Sequence, residues 1–457
     1  MFRIVSIIIC LIGLPVFLKG QVKEEVQIKM FFNKALTDRT AYENLRYLCK
    51  NTKGRIAGTP EAATAVEFTF QVMNRMNLDS VFLQPVQVPR WVRGEKEQAK
   101  ILSDKFGNKE VPITALGISI GTGEPGLTAK VIEVHNFEQF AELGEEKIKG
   151  NIVFYNRHMD PTLINTFSAY GAATNQRTQG ASKAAEYGAV GVVVRSLTTA
   201  LDDHPHTGVM RYDNNFPKIP AVAISTNGAD LLSLWLKEDP NLNFYFRTTC
   251  ETFPDVTSYN VIGEIMGSKY PEEIITVGGH LDAWDNSEGA HDDGAGCVQA
   301  IEVLRLFKKM GIKPKRTIRA VMFMDEEIAQ RGGKEYARQA DLKNEKHYFA
   351  LESDRGGLLL KGFGITAPEE RLEKMLALKK YFEPYGIQEF TKGGGGVDIG
   401  PLGQFGTPLS SFVPDMQRYF DFHHSAFDTF EQVNIRELQM GSAAIASLIY
   451  LIDTFDL

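Results

Sequence analysis

Cysteine is scarce in these 457 residues, with four in all, and one of them, Cys10, lies inside an apolar N-terminal run. The other three, Cys49, Cys250 and Cys297, are an odd number, which excludes a fully paired disulfide framework and leaves at most one bridge within the chain. Positive charge is not in excess either. Lys and Arg number 50 against 57 Asp and Glu, for a formal net charge of -7, and no cluster of Lys and Arg is interleaved with aromatics, so a nucleic-acid partner is excluded as a class. There is no internal repeat, and low complexity is confined to Gly393–Gly396. Hydrophobic residues at 43% and charged residues at 23% are ordinary values that leave out disordered and collagen-like chains. The length exceeds that at which a single core stops growing, which predicts two domains.

The N-terminal run is short. In MFRIVSIIICLIGLPVFLKGQ the apolar residues extend from Ile4 to Leu18, broken by Pro15 and preceded by Arg3. That is less than the roughly 20 residues of a spanning helix, and the basic start with a small residue at Gly20 reads as a signal peptide over residues 1–20. Export to a periplasmic, secreted or secretory-lumen location follows as an expectation, with no stable membrane span after removal.

What is present is a change of pattern along the chain. Residues 22–52 are helical in flavour, and Thr59-Pro60 supplies a cap and a first helical position for a helix to about Met76. From about Ile113 short β-like runs follow (AKVIEV, GNIVFYNR, AVGVVVRS, PAVAIS), with a helix at QGASKAAEYG. From Tyr259 apolar strands alternate with amphipathic helices: strands at 274–277, 318–324 and 348–351, and a helix over 297–310. This predicts an α/β fold with a mostly parallel, doubly wound sheet and flanking helices.

The ionisable motifs fall just beyond the carboxyl ends of those strands, where open α/β sheets place ligand sites. GGHLDAWDNSEGAHDDGAG, residues 278–296, holds two histidines, four aspartates and a glutamate. A two-metal hydrolytic site needs nitrogen and oxygen ligands on each ion, a shared carboxylate, and a free carboxylate to take a proton from water. His280 offers the imidazole, with Asp282 two residues on to hold its second nitrogen; Asp292 is the candidate bridge. Of Glu326-Glu327, one binds and the other stays free as base, although the pair reads equally as the acidic first turn of a solvated helix. Asp354, and His424 in YFDFHHSAFDTFE, complete the set, with His423 as the less favoured neighbour.

The order H-x-D, D-D-G, E-E, S-D and a histidine before S-x-x-D-T resembles the M28 metallopeptidase family over residues 259–435. The resemblance implies a zinc-exopeptidase, phosphorylase/hydrolase-like fold with two zinc ions per chain. Asp292 would bridge them, with His280 and Asp354 on one and Glu327 and His424 on the other, and Glu326 would be the general base. Asp293 is placed behind the ligands, where the family often has a strained peptide between the two aspartates. Asp398 is a candidate for a substrate amino group or a supporting contact, with a turn role as the alternative, and His291 is a pocket wall. Residues 113–251 resemble the protease-associated domain inserted in several M28 peptidases, leaving 21–112 and 252–457 as the catalytic domain. By analogy the insert covers the cleft, with a spacer role as the alternative. Where some family members carry an oxyanion-stabilising tyrosine, this chain has Lys392 followed by four glycines, which either bring backbone to the substrate or leave the loop mobile.

Three readings compete: a dizinc exopeptidase on small peptides, with dipeptides as the expected substrates; a glutaminyl-cyclase-like acyltransferase with one zinc; and an inactive receptor-like binding module. The complete ligand set disfavours the last, and the insert disfavours the second. An aminopeptidase on longer peptides remains an alternative within the first. Arg355 and Lys392 are candidate readers of a substrate carboxylate, and family analogy points to a homodimer.

Overall fold

The computed structural model describes residues 14–457, with side chains from Lys23 onward. Most of the expected leader therefore lies outside the described residues. The backbone of Leu14–Leu36 forms one helix, followed by helices Thr40–Asn51 and Pro60–Asn74. The last starts as its sequence requires: the Thr59 side chain accepts the Ala62 N–H, and Pro60 occupies the first turn, where its missing N–H is no loss.

Sixteen strands follow in two sheets. The first nine are β1 (Ser80–Val92), β2 (Gln98–Ser103), β3 (Gly107–Glu110), β4 (Ile113–Ala115), β5 (Leu127–Val134), β6 (Ile152–Tyr155), β7 (Gly191–Arg195), β8 (Ala221–Ile224) and β9 (Asn243–Arg247). The others are β10 (Glu251–Ile265), β11 (Tyr270–His280), β12 (Arg316–Phe323), β13 (Lys346–Glu352), β14 (Leu360–Thr366), β15 (Glu389–Lys392) and β16 (Leu409–Pro414).

The larger core belongs to the sheet β1-β10-β12-β11-β13-β16-β14-β15. Its centre is parallel: β11 pairs with both β12 and β13, and β13 with β16, while β1, β10 and β14 add antiparallel neighbours. β12 is buried at every position, and β13 carries the apolar run Tyr348–Leu351, as expected of strands between two layers of helices. Ala295–Lys309 and Ile435–Phe455 are among these helices. The latter is the one helix among the described residues that is long and apolar enough to cross a membrane, and it is mostly buried as a core element.

The second sheet, β3-β2-β9-β5-β6-β7-β8-β4, has its own apolar clusters. It leaves the first sheet from the ends of β1 and β10, which pair antiparallel from Ser80 opposite Glu264 to Val92 opposite Glu251. β2 and β3, which precede the change of pattern expected at residue 113, pair within the second sheet, whose strands run from 98 to 247. Their signal is weak because β3 is exposed throughout and β2 buries only alternate residues.

Candidate metal centre

Three strand ends build the site. β11 stops at His280, β12 runs into Asp325-Glu326-Glu327, and β13 into Ser353-Asp354. His280 Nε2 lies 3.2 Å from Asp292 Oδ1 and 3.3 Å from Asp354 Oδ1. On the other side of the same aspartate, His424 Nε2 lies 3.4 Å from Asp292 Oδ2 and 3.2 Å from Glu327 Oε2. Two donors on one tetrahedral zinc are separated by about 3.3–3.4 Å, given bonds of about 2.0–2.1 Å. All four separations match that edge, and Asp292 presents one oxygen to each histidine. His423 stacks on His424 with ring centroids 3.5 Å apart, and its Nε2 is 3.9 Å from Asp292 Oδ2.

The chemistry of the donor set also fits a cation. Asp292 Oδ2, Glu327 Oε1 and Asp354 Oδ1 are buried and accept no hydrogen bond, an arrangement that is costly unless a positive group faces them. Burial, followed by neighbouring carboxylates, holds the acids of Glu326 and Glu327 well above the ordinary range. Burial alone would lower His280, but Asp354 and Asp292 outweigh it and hold the imidazole well above its ordinary value. His424 is pushed well below it by burial and by His423, leaving the neutral form that serves as a ligand.

The supporting contacts depart in part from the sequence reading. His280 Nδ1 is held by the backbone carbonyl of Asp282 at 3.0 Å, whereas the Asp282 carboxylate is 3.8 Å away. That carboxylate instead accepts the N–H groups of Glu326 and Glu327 at 3.1 and 3.3 Å, tying the β12 end to the β11 end. Asp293 is fully buried. It accepts the His280 N–H at 3.1 Å and the Gly296 N–H at 2.9 Å, the latter at a helix start that favours a carboxylate; the Asp292–Asp293 peptide is cis. Asp398 is fully buried with neither oxygen accepting a hydrogen bond. Burial, then Glu352 and Glu326, push its carboxyl well above the ordinary range.

His291 is buried, stacks on Phe422 and accepts the Gly357 N–H through Nδ1. Lys392 is a surface residue paired with Glu369. Arg355 packs over Phe167 of the second module. The three cysteines are buried free thiols.

Several site residues escaped sequence reasoning. The Asp428 carboxylate accepts the N–H groups of His291 and Asp292 at 2.8 and 3.0 Å; the aspartate of S-x-x-D-T was its only signal. Arg55 donates to the carbonyls of Leu281, Glu288 and Gly289, clamping both ends of the loop before Asp292. From the second module, the Thr207 N–H donates to the His424 carbonyl at 2.9 Å. Its own carbonyl faces His424 Nδ1 at 3.3 Å, and His206 Nδ1 meets the His423 carbonyl at 2.6 Å. These contacts hold His424 in a left-handed conformation, φ +62°, that a non-glycine residue rarely adopts.

A parallel-centred sheet with buried histidines and carboxylates at its strand ends defines a metallohydrolase, and the known relatives narrow this to a peptidase. Residues 260–449 match the model of "Peptidase family M28". Human carboxypeptidase Q is 32% identical over 452 residues, covering 97% of this chain and 93% of that protein. A solved peptidase M28 precursor from Shewanella amazonensis SB2B is 32% identical, superposes with a TM-score of 0.90, and covers 94% of this chain and 97% of its own. BSAP, a zinc aminopeptidase from Bacillus subtilis, shares the fold at 21% identity, with a TM-score of 0.65 and coverage of 90% and 94%. The chain belongs to peptidase family M28 and is a metallopeptidase.

Proposed function

We propose that this chain is an exported dizinc exopeptidase acting on short peptides, dipeptides among them. The observation that carries the reading is Asp292, one oxygen 3.2 Å from His280 and the other 3.4 Å from His424, each histidine having a second carboxylate at a tetrahedral edge. His280, Asp292 and Asp354 would hold one zinc, and Asp292, Glu327 and His424 the other. Bound zinc supplies a water of lowered pKa and a polarised carbonyl.

The protein's own part is proton handling and exclusion. Glu327 is buried, whereas Glu326 is partly open to solvent, so Glu326 is the carboxylate an incoming peptide can meet. It takes the proton of the attacking water and returns it to the leaving amine. The second module is read as a protease-associated insert. Its contacts with the His423–Ser425 loop support a role in covering the ligands, which would favour short substrates. Export rests on the leader pattern of residues 1–20.

Hydrolysis of one dipeptide by the zinc-loaded protein, offered free, N-acetylated and C-amidated, tests the reading. Loss on either block identifies a dipeptidase. Cleavage that survives amidation but not acetylation identifies an aminopeptidase, and the reverse a carboxypeptidase. No cleavage of any form, with zinc bound, rejects the exopeptidase assignment.

A further inference from the structure

Arg177 is the buried arginine without a counter-charge. It is 5% exposed, yet its Nε has no hydrogen-bond partner and its Nη1 makes a single long contact, 3.5 Å to the Thr207 carbonyl. No carboxylate pairs with it among the described residues. The other buried arginines are compensated: Arg195 by Asp230, Arg316 by Glu273 and Asp456, Arg319 by Glu264 and Glu345, and Arg55 by three carbonyls. A buried guanidinium left unpaired is strongly unfavourable unless an anion joins it.

Its position shows which anion. The Thr207 carbonyl that Nη1 approaches is the one that faces His424 Nδ1, so the guanidinium and a candidate metal ligand flank the same peptide group. On its other side Arg177 packs over the ring of Tyr170, 5.4 Å from the centroid, and Tyr170 in turn meets His423 edge-on at 5.1 Å. Gly208, at φ +137°, gives the guanidinium its room: a Cβ there would fall 2.5 Å from Arg177 Cζ. Among the site's carboxylates outside the candidate ligand set, Glu326 is the one partly open to solvent, and it lies just past the end of β12 rather than beside the guanidinium. A zwitterionic peptide lying across the site would meet acid at its amine end and Arg177 at its carboxylate end. The planar fork of a guanidinium matches a carboxylate in bidentate fashion.

We infer that Arg177, contributed by the inserted module, is a specificity-determining residue that binds the free C-terminal carboxylate of a short peptide substrate. This rests on the exopeptidase reading of the same site.

The test uses the zinc-loaded Glu326→Gln protein, so that the ligand persists, and measures by calorimetry the affinity of alanyl-leucine and of alanyl-leucine amide. The expected result is that the free dipeptide binds roughly tenfold or more tightly than the amide. Adding Arg177→Met abolishes the difference while leaving affinity for the amide unchanged. Arg177→Lys, which keeps the charge and loses the fork, retains part of the preference and guards against a Met variant that fails to fold. The inference is overturned if neither ligand is preferred, if the preference survives in Arg177→Met, if both ligands weaken by the same factor, or if Arg177→Lys matches Arg177. Failure of the exopeptidase reading shows separately, as no cleavage of any dipeptide form by the zinc-loaded parent protein.

Discussion

Glu326 and Glu327 are adjacent, and the Asp282 carboxylate receives both of their N–H groups, yet their side chains meet different surroundings. Glu327 faces His424 at 3.2 Å, while Glu326 makes no ion pair among the described residues and is partly open to solvent. Removing the charge from each should therefore have different consequences. Glu326→Gln is expected to retain full metal content and lose about 10²–10⁴ in kcat, whereas Asp292→Ala is expected to lose both metal and activity. Metal analysis beside steady-state kinetics checks this, and a Gln variant within a few-fold of the parent rate removes Glu326 from its role. The residues of this group were legible in the sequence because each lies within a short motif, Glu326 and Glu327 just past a strand end and Asp292 at the start of the helical segment after β11. The residues that hold them were not. Arg55 meets Leu281 from 226 positions away, and Asp428 meets His291 from 137. Nothing local marks such a contact before the chain folds.

At the scale of elements, β13 does more than deliver Asp354. Its last residue, Glu352, is buried and accepts the N–H groups of Val397, Asp398 and Ile399 at 2.8–2.9 Å, pinning the loop that follows the glycine run. The glycines serve this packing: a Cβ on Gly396 would lie 2.1 Å from Glu352 Cδ, and one on Gly394 would lie 2.0 Å from the Gly364 carbonyl. Gly396→Ala is thus expected to displace the carboxylate and lower stability by about 2–4 kcal/mol. Gly400→Ala, where a Cβ meets nothing within 4 Å, should stay within about 0.5 kcal/mol of the parent. Equal denaturant midpoints for the two variants would contradict the argument. The apolar parallel strands were readable because burial on both faces leaves unbroken hydrophobic runs. β1 was not, since Pro85 and Pro89 argue against a strand. It is an edge strand in which the register shifts between Val88 and Arg90, and both an edge and a bulge tolerate proline.

Across the whole molecule, the N-terminal segment through Arg55, the insert through His206 and Thr207, and the main sheet all close on one buried set of charges, which couples stability to proton and metal binding. Burial, then Asp282, pushes Asp325 up to about 8. Burial, then Asp354, pushes Glu352 up to about 7, and burial leads the rise of Asp428 to about 7. In the unfolded chain these groups ionise at ordinary carboxylate values. The folded protein therefore holds extra protons between about pH 4 and 8, and loses stability as pH rises through that window. Burial lowers His206 and His291 to about 4, which acts the other way: their contribution is lost as pH falls below 6.5. Above pH 6.5 these two imidazoles are neutral in both states, and the carboxyl effect acts in the same direction as the raised His280, whose contribution is also lost as pH rises. In metal-free protein, raising pH from 6.5 to 8 is expected to remove about 1–3 kcal/mol and lower Tm by a few degrees. Zinc binds the ionised ligands and stabilises the state it occupies, so the Tm gained on adding it should grow over the same interval. Thermal melts with and without zinc at both pH values decide the point: a metal-free Tm that is flat or rises, or a zinc increment that shrinks with pH, would show that the buried carboxyls already face a compensating charge within the protein.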